Sequence, residues 1–349
     1  MAYTDIDDPA QYFNTVLYAG NDTAIGSGGQ TITGIGFEPN WVWVKRRNVD
    51  TAHHAIYDSV RGATKQLSSS QTNAESTQSE GLTAFGSDGF TVGNLGRVNE
   101  AGGRNYASWN WKAGGSASSN SDGSITSSVS ASTTAGFSIV SYTGTGSNAT
   151  VGHGLGAVPK MIFFKDRETA VDWGVYAEPN GNTKEMYLST TDAAGTNSGA
   201  FNSTTPTSSV FTIGTSSRYN PSSKGVIAYC FADVKGYTKI GSYTGNGNAD
   251  GTFVYTGFRP AWVMRKRTDS ANSWGMNDNK RNTFNITEEL LLANSNNAAS
   301  DGTGIDMLSN GFKMRSNSSL HNASGGTYIY MAFAESPFVN SKGVPTNAR

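Results

Sequence analysis

Gly36-Phe37-Glu38-Pro39-Asn40-Trp41-Val42-Trp43-Val44-Lys45-Arg46-Arg47 returns 120 residues later as Gly156-Ala157-Val158-Pro159-Lys160-Met161-Ile162-Phe163-Phe164-Lys165. It returns again, after 101 more, as Gly257-Phe258-Arg259-Pro260-Ala261-Trp262-Val263-Met264-Arg265-Lys266-Arg267. Upstream of each stands a tyrosine cassette: Val16-Leu17-Tyr18-Ala19-Gly20-Asn21, Val140-Ser141-Tyr142-Thr143-Gly144-Thr145 and Gly241-Ser242-Tyr243-Thr244-Gly245-Asn246. Downstream of each comes an aromatic-rich run, ending at Trp111, Phe231 and Phe333. Three cassettes in one order read as three copies of a module of about 100 residues, long enough for each to hold a core.

Local patterning makes the module β. Trp41 to Lys45, Met161 to Lys165, Ser209 to Ile213, Gly225 to Phe231 and Tyr328 to Phe333 are short runs of β-branched and aromatic residues bounded by Gly, Asn, Asp or Pro. Ser87-Asp88-Gly89-Phe90 and Ser309-Asn310-Gly311-Phe312 carry hairpin turns in which glycine supplies positive φ. The best helix candidate is Asn285 to Asn294, where Thr287-Glu288-Glu289 caps Leu290-Leu291-Leu292. The expected fold is all-β: three tandem β-sandwich or jelly-roll-like modules at 15–112, 124–235 and 236–335. A Gly/Ser connector at 113–123 is expected to be flexible, and arms at 1–14 and 336–349 flank the modules. The short junction near Gly236 predicts that the second and third modules pack as a stiff pair, with Trp43, Phe163 and Val263 matched, as are Trp111, Phe231 and Phe333.

Charged residues make up only 15% of the chain, aromatics 11%, and the net charge is −1. Such a surface stays soluble through Ser, Thr, Asn and Gly, and it offers no field to concentrate nucleic acid. The lone Cys230 cannot form an internal disulfide, and Met1 to Pro9 has neither the basic start nor the apolar core of a signal peptide. No apolar run spans a bilayer, so synthesis in the cytoplasm without membrane insertion is expected.

Few residues suggest chemistry. His53 and His54 are adjacent and point to opposite faces of a strand, which suits packing better than gripping one metal. The glycines around His153 lack the helix that a dinucleotide site needs. Asp5, Asp7 and Asp8 crowd the N-terminal arm; their spacing fits an unstructured acidic arm better than a calcium loop. No catalytic residue, metal site or cofactor is expected. The two basic cassettes, Lys45-Arg46-Arg47 and Arg265-Lys266-Arg267, follow Trp-bearing strands. One reading makes them a glycan or partner contact with an indole as stacking face; the other makes the aromatics core and the charges strand-edge protection. Tyr18, Tyr142, Tyr243, Pro39, Pro159 and Pro260 recur because the fold needs them.

Tyr142-Thr143-Gly144-Thr145-Gly146, Gly257-Phe258-Arg259-Pro260-Ala261-Trp262-Val263, Tyr57-Asp58-Ser59-Val60-Arg61-Gly62-Ala63-Thr64-Lys65, Trp109-Asn110-Trp111-Lys112-Ala113-Gly114-Gly115 and the closing Tyr328-Ile329-Tyr330-Met331-Ala332-Phe333 resemble motifs of repeat-containing virion structural proteins. Those are tail fibre-like proteins of tailed phages of marine bacteria and cyanobacteria. From Leu17 to Phe338 the resemblance is continuous, and it assigns no catalytic residue. It implies a non-enzymatic virion component, made in the host cytoplasm and placed as a tail-associated fibre or spike subunit that helps attach to the host surface. Its partners would be other virion proteins, further copies of itself with a trimer favoured, and a host surface glycan. A capsid decoration protein and a glycan-degrading appendage enzyme are the alternatives, the latter requiring a carboxylate pair facing one groove.

Overall fold

The computed structural model describes residues 3–49, 51–302 and 304–346. The chain is nearly all β, built of antiparallel sheets, and among the described residues no helix is long and apolar enough to cross a membrane. The only α-helix among them is Ser198–Phe201. The expected helix at 285–294 is absent: Leu291–Leu292 is a strand pairing with Gly275–Met276. Leu291 is needed in the core on the sheet side, and that demand outweighs a weak helical propensity.

One pairing order occurs in each third. Phe13–Ala19 lies against Asn105–Trp111, which lies against Trp41–Arg46, then Ala55–Asp58. The middle third runs Phe137–Thr143, Gly225–Phe231, Met161–Asp166, Gly174–Ala177, and the last runs Thr238–Thr244, Thr327–Pro337, Phe258–Arg267, Gly275–Asp278. A smaller sheet covers one face of each, closing the separate apolar clusters around Val42 and Phe90, Phe164 and Phe211, and Val263 and Phe312. Gly89 and Gly311 open the second strands of the hairpins, but for a steric reason rather than for positive φ. A Cβ there would come within 1.8 Å of the Ile32 carbonyl oxygen and 2.1 Å of that of Val254.

The opposite faces of the three large sheets meet in one shared core. It contains Trp41, Trp43, Trp109 and Trp111 from the first third, Phe137, Phe163, Trp173 and Phe231 from the middle, and Trp262, Trp274 and Phe333 from the last. Ring centroids lie 4.4 Å apart for Trp41 and Trp111, 5.7 Å for Trp111 and Trp262 and 6.0 Å for Phe231 and Phe333. No third is therefore a free unit, and the stiff pairing expected of the second and third alone extends to all three. Register also corrects the expected match: Trp43 faces Trp109 and Phe163 faces Tyr229, so their counterpart is Met264, which faces Met331, and not Val263. Val263 points the other way, into the smaller core. Trp111, Phe231 and Phe333 do match, facing Trp41, Met161 and Trp262.

The stretch 113–123 is not a flexible connector. Ser118–Asn120 pairs with Ser127–Val129, the amide of Ala113 donates to Asn40 Oδ1 at 2.7 Å, and that of Gly114 to Ser130 Oγ at 3.1 Å. Small polar side chains supply turns and strand edges here as readily as slack. The acidic arm is likewise folded. Ile6 is buried in the shared core, Asp8 Oδ1 accepts from the Ala10 amide at 3.2 Å, and Asp7 Oδ1 accepts from the Ser341 amide at 2.7 Å. The two ends of the chain therefore clasp each other; residues 1–2 and 347–349 of the arms lie outside the described residues.

Candidate functional site

The lysines of the cassettes are internal. Lys45, Lys165 and Lys266 face Ala107, Ile227 and Ile329, one register position in the three thirds. Each is fully buried, and each ammonium is held by carbonyls of a neighbouring third. Lys45 Nζ donates to Asn296 O at 3.2 Å, Lys165 Nζ to Thr72 O at 3.0 Å and Lys266 Nζ to Thr191 O at 3.3 Å. Burial lowers Lys165 and Lys266 to about 8. The same cyclic sense holds one strand over: His54 Nε2 bonds Leu292 O at 3.0 Å, while the Trp173 and Trp274 indoles donate to Ser68 O and Tyr187 O, both at 2.8 Å. The amides of Glu75, Ala194 and Ala299 close the ring by donating to Arg167 O, Thr268 O and Arg47 O.

Burial removes the glycan-contact reading from Lys45, Arg46, Arg265 and Lys266, while Arg47 and Arg267 are partly exposed and ion-paired. Arg46 is 6% exposed and bonds Glu100 at 2.5 Å, and Arg265 is 0% exposed with Nη2 on Asn277 Oδ1 at 2.6 Å and Nε on His321 Nδ1 at 3.3 Å. Arg47 is tied to Glu289 at 3.1 Å across the joint of the first and last thirds, and Arg267 to Asp269 at 2.7 Å. The tryptophans offered as sugar platforms are all buried. These motifs build the joints. A basic residue beside tryptophan reads the same in a linear sequence whether the strand faces water or another sheet.

The recurring tyrosines are also structural. Tyr18, Tyr142 and Tyr243 hydroxyls donate to the carbonyls of Val98, Tyr219 and His321 at 2.8, 2.6 and 2.8 Å. Pro39, Pro159 and Pro260 are buried where each third strand begins. Asn99, Asn220 and Asn322 complete the cassette: their Oδ1 atoms accept from the amides of Asn21, Thr145 and Asn246 at 2.7, 2.6 and 3.0 Å. Sequence reading passed over these asparagines, although each stands just ahead of its third's closing strand. Tyr142→Phe is expected to lose about 1–2 kcal/mol, because the buried Tyr219 carbonyl loses its donor. A chemical denaturation midpoint indistinguishable from the parent would contradict this.

His54, His153 and His321 are all held below the ordinary histidine range, in each case chiefly by burial. The unfolded chain takes up protons near pH 6.5 while the folded chain does not, so stability is complete above that point and declines as pH falls below it. Each such histidine steepens the decline by up to about 1.4 kcal/mol per pH unit. Denaturation at pH 7.5, 6.5 and 5.5 checks the sign; a flat profile would refute it.

Among the described residues no group of three or more His, Cys, Asp or Glu side chains is placed to hold a metal ion. The buried thiol of Cys230 is pushed up by desolvation. What remains is a cleft of about 620 Å³ between the N-terminal arm, the Asp233–Gly236 turn and the last third, lined by Tyr3, Asp5, Asp233, Lys239, Tyr255 and Phe338 among others. Tyr3 and Tyr255 are 60% and 62% exposed and Phe338 is 36% exposed, in a protein that otherwise buries most of its aromatics. Asp233 there is engaged, with Oδ2 on Lys239 Nζ at 2.7 Å and Oδ1 on the Ile240 amide at 2.8 Å. In the loops at 294–301 and 315–327 of the last third, the Asn296 carbonyl receives Lys45, and His321 and Asn322 are buried.

No curated protein and no solved structure matches the chain. One family model, described as a domain of unknown function (DUF7483), matches residues 8–337. That span takes in all three large sheets, their shared core and the joints between them. The chain belongs to the DUF7483 family of domains of unknown function.

Proposed function

We propose that the chain is a structural protein of a phage virion: three copies of one β-sandwich module forming a tail-associated fibre or spike subunit that contributes to host-surface attachment, without enzymatic activity. The observation that carries this reading is the fate of the motifs resembling virion proteins. Tyr142, Pro260, Trp262, Asp58, Arg61, Trp109 and Trp111 are buried. What those motifs share is thus an architecture, and the function follows by analogy of architecture. A body whose three parts share one core keeps its shape without a partner, which suits a particle component under mechanical load.

Attachment rests on the exposed hydroxyl- and amide-rich surface, whose Ser, Thr and Asn side chains exchange hydrogen bonds with sugar hydroxyls. Partners in this reading are other virion proteins, a host surface glycan and further copies of the chain, with a trimer favoured; display of several copies multiplies weak contacts. Two measurements test it. Antibody labelling should place the protein on the tail, whereas label on the head selects a capsid decoration role. Purified protein should compete with phage adsorption, and absence of both host binding and competition ends the attachment reading. Sedimentation of the purified chain decides the trimer.

A further inference from the structure

The middle third differs from the last at one sheet edge. The Phe137–Thr143 strand is covered on its outer side by Ser127–Ser132, with Val129 facing Val140 and Ala131 facing Ser138, and Ser118–Asn120 lies beyond. The same hairpin seals the mouth between the two sheets of that third. Val129 is buried with Val140 and Tyr142, Ile125 bridges Val151, and Ser127 Oγ donates to Gly152 O at 2.8 Å. A Cβ on Gly154 would meet the side chains of Val129 and Ala131 at 3.1 and 3.3 Å.

In the last third, Thr238–Thr244 matches Phe137–Thr143 in register, since Thr238 faces Phe333 as Phe137 faces Phe231. Here the strand ends its sheet, because the chain arrives directly from the Gly225–Phe231 strand through a turn and no hairpin precedes it. The site filled by Ala131 in the middle third, opposite Lys239 here, lies in the open cleft, and that of Val129, opposite Gly241, adjoins it. Tyr255 occupies the position of Gly152, and it stands exposed because nothing covers it. The Gly245 amide donates to Gly326 O and the Ala334 amide to Tyr237 O. Antiparallel alternation therefore turns the amide and carbonyl of Ser242 outward. Val234 already pairs with Thr238, Asp233 takes the outward amide of Ile240 and the Thr252 hydroxyl donates to the outward carbonyl of Thr244, so the open part of this edge centres on Ser242. In the first third the corresponding gap is bridged, with Asn14 Nδ2 donating to Ile35 O at 3.2 Å.

We propose that this cleft and the strand edge beside it accept an extended polypeptide segment of a partner protein, which pairs with the outward amide and carbonyl of Ser242 in the Thr238–Thr244 strand. The chemistry of the segment is that of the cover seen in the middle third: β-branched or small apolar residues at alternate positions, inserting beside Tyr255 and Lys239, with Ser or Thr between them. Main-chain hydrogen bonds to an open edge supply affinity and the alternate side chains supply selection. The inference depends on the strand edges and not on the particle in which the chain resides.

The probe is a synthetic peptide, Gly-Ser-Ile-Thr-Ser-Ser-Val-Ser-Ala-Ser, copied from residues 123–132. Saturable binding to the full chain is expected, with new hydrogen-exchange protection at the Ser242 amide. Ser242→Pro removes the outward donor at a sheet edge, where proline is tolerated, and should weaken binding at least tenfold. Tyr255→Asp leaves the backbone untouched and should do the same, which covers failure of the proline variant to fold. Absence of saturable binding, or binding insensitive to both variants, overturns the proposal. Binding of an extracted host polysaccharide that protects Tyr255 from modification, without protecting the Ser242 amide, overturns it too and assigns the cleft to a sugar while leaving the attachment reading intact.

Discussion

Trp41→Ala is expected to cost about 3–5 kcal/mol. Trp41 is 1% exposed and touches rings of two thirds: Trp111 at 4.4 Å, Tyr229 at 4.7 Å and Phe231 at 5.7 Å. Removing the indole leaves a cavity between sheets that cannot collapse toward one another, since each is also fixed to its own smaller sheet. Because the lost contacts lie in the shared core, unfolding should remain a single transition that shifts as a whole. Chemical denaturation followed by tryptophan fluorescence and by circular dichroism tests this. Two separated transitions, or a loss below about 1 kcal/mol, would show that the thirds are independent.

Asp58→Ala should be nearly as damaging, at about 3–5 kcal/mol, because it removes the fully buried partner of Arg61 and leaves that charge only the Glu75 carboxylate at 3.1 Å. Asp58 and Arg61 form an ion pair with both side chains at 0% exposure, and the hydroxyl of Tyr229 donates to Asp58 Oδ2 at 2.7 Å from the middle third. Asp278 and Arg281 repeat the pair at 2.5 Å, with the Trp109 indole donating to Asp278 at 3.1 Å from the first third. In the middle third the same register position is Ala177, with Asn180 where the arginine would be and Met331 at the position of Tyr229 and Trp109. The chain thus holds two charged versions of one joint and one uncharged version. The double variant Asp58→Ala/Arg61→Met should therefore recover much of the loss, as replacing both members of a buried pair costs less than orphaning one. A double variant as unstable as the single one would mean that the pair itself, and not the orphaned charge, sets the energy.

Much of the architecture was legible in particular residues. The alternation of Trp41 to Lys45 and of Gly225 to Phe231 marked strands, and the common order of the Tyr18, Pro39 and Trp111 cassettes marked three matching stretches. The errors share a cause. Leu290 to Leu292 looked helical, Val263 looked like the partner of Trp43, and Lys45 with Arg265 looked available to a ligand. Each depends on which face of a strand meets which neighbour, and a shift of one residue exchanges the two faces. Continuous runs such as Trp41-Val42-Trp43-Val44, apolar on both faces, hid the answer because both faces are buried, one against a smaller sheet and one against the other two thirds.

By itself the sequence determined the all-β class, the strand positions and the turns, since these follow from alternation, β-branched and aromatic content and glycine placement within a few residues of chain. Only the tertiary structure decided that the thirds share one core, that Lys45, Lys165 and Lys266 are buried at its joints, and that Tyr255 of the last third lines an open cleft. Those are matters of contact between residues some hundred positions apart, such as Lys165 and Thr72 or Trp109 and Asp278. No local pattern encodes them, because the energy of burying an ammonium or an indole depends on what the rest of the chain brings to it.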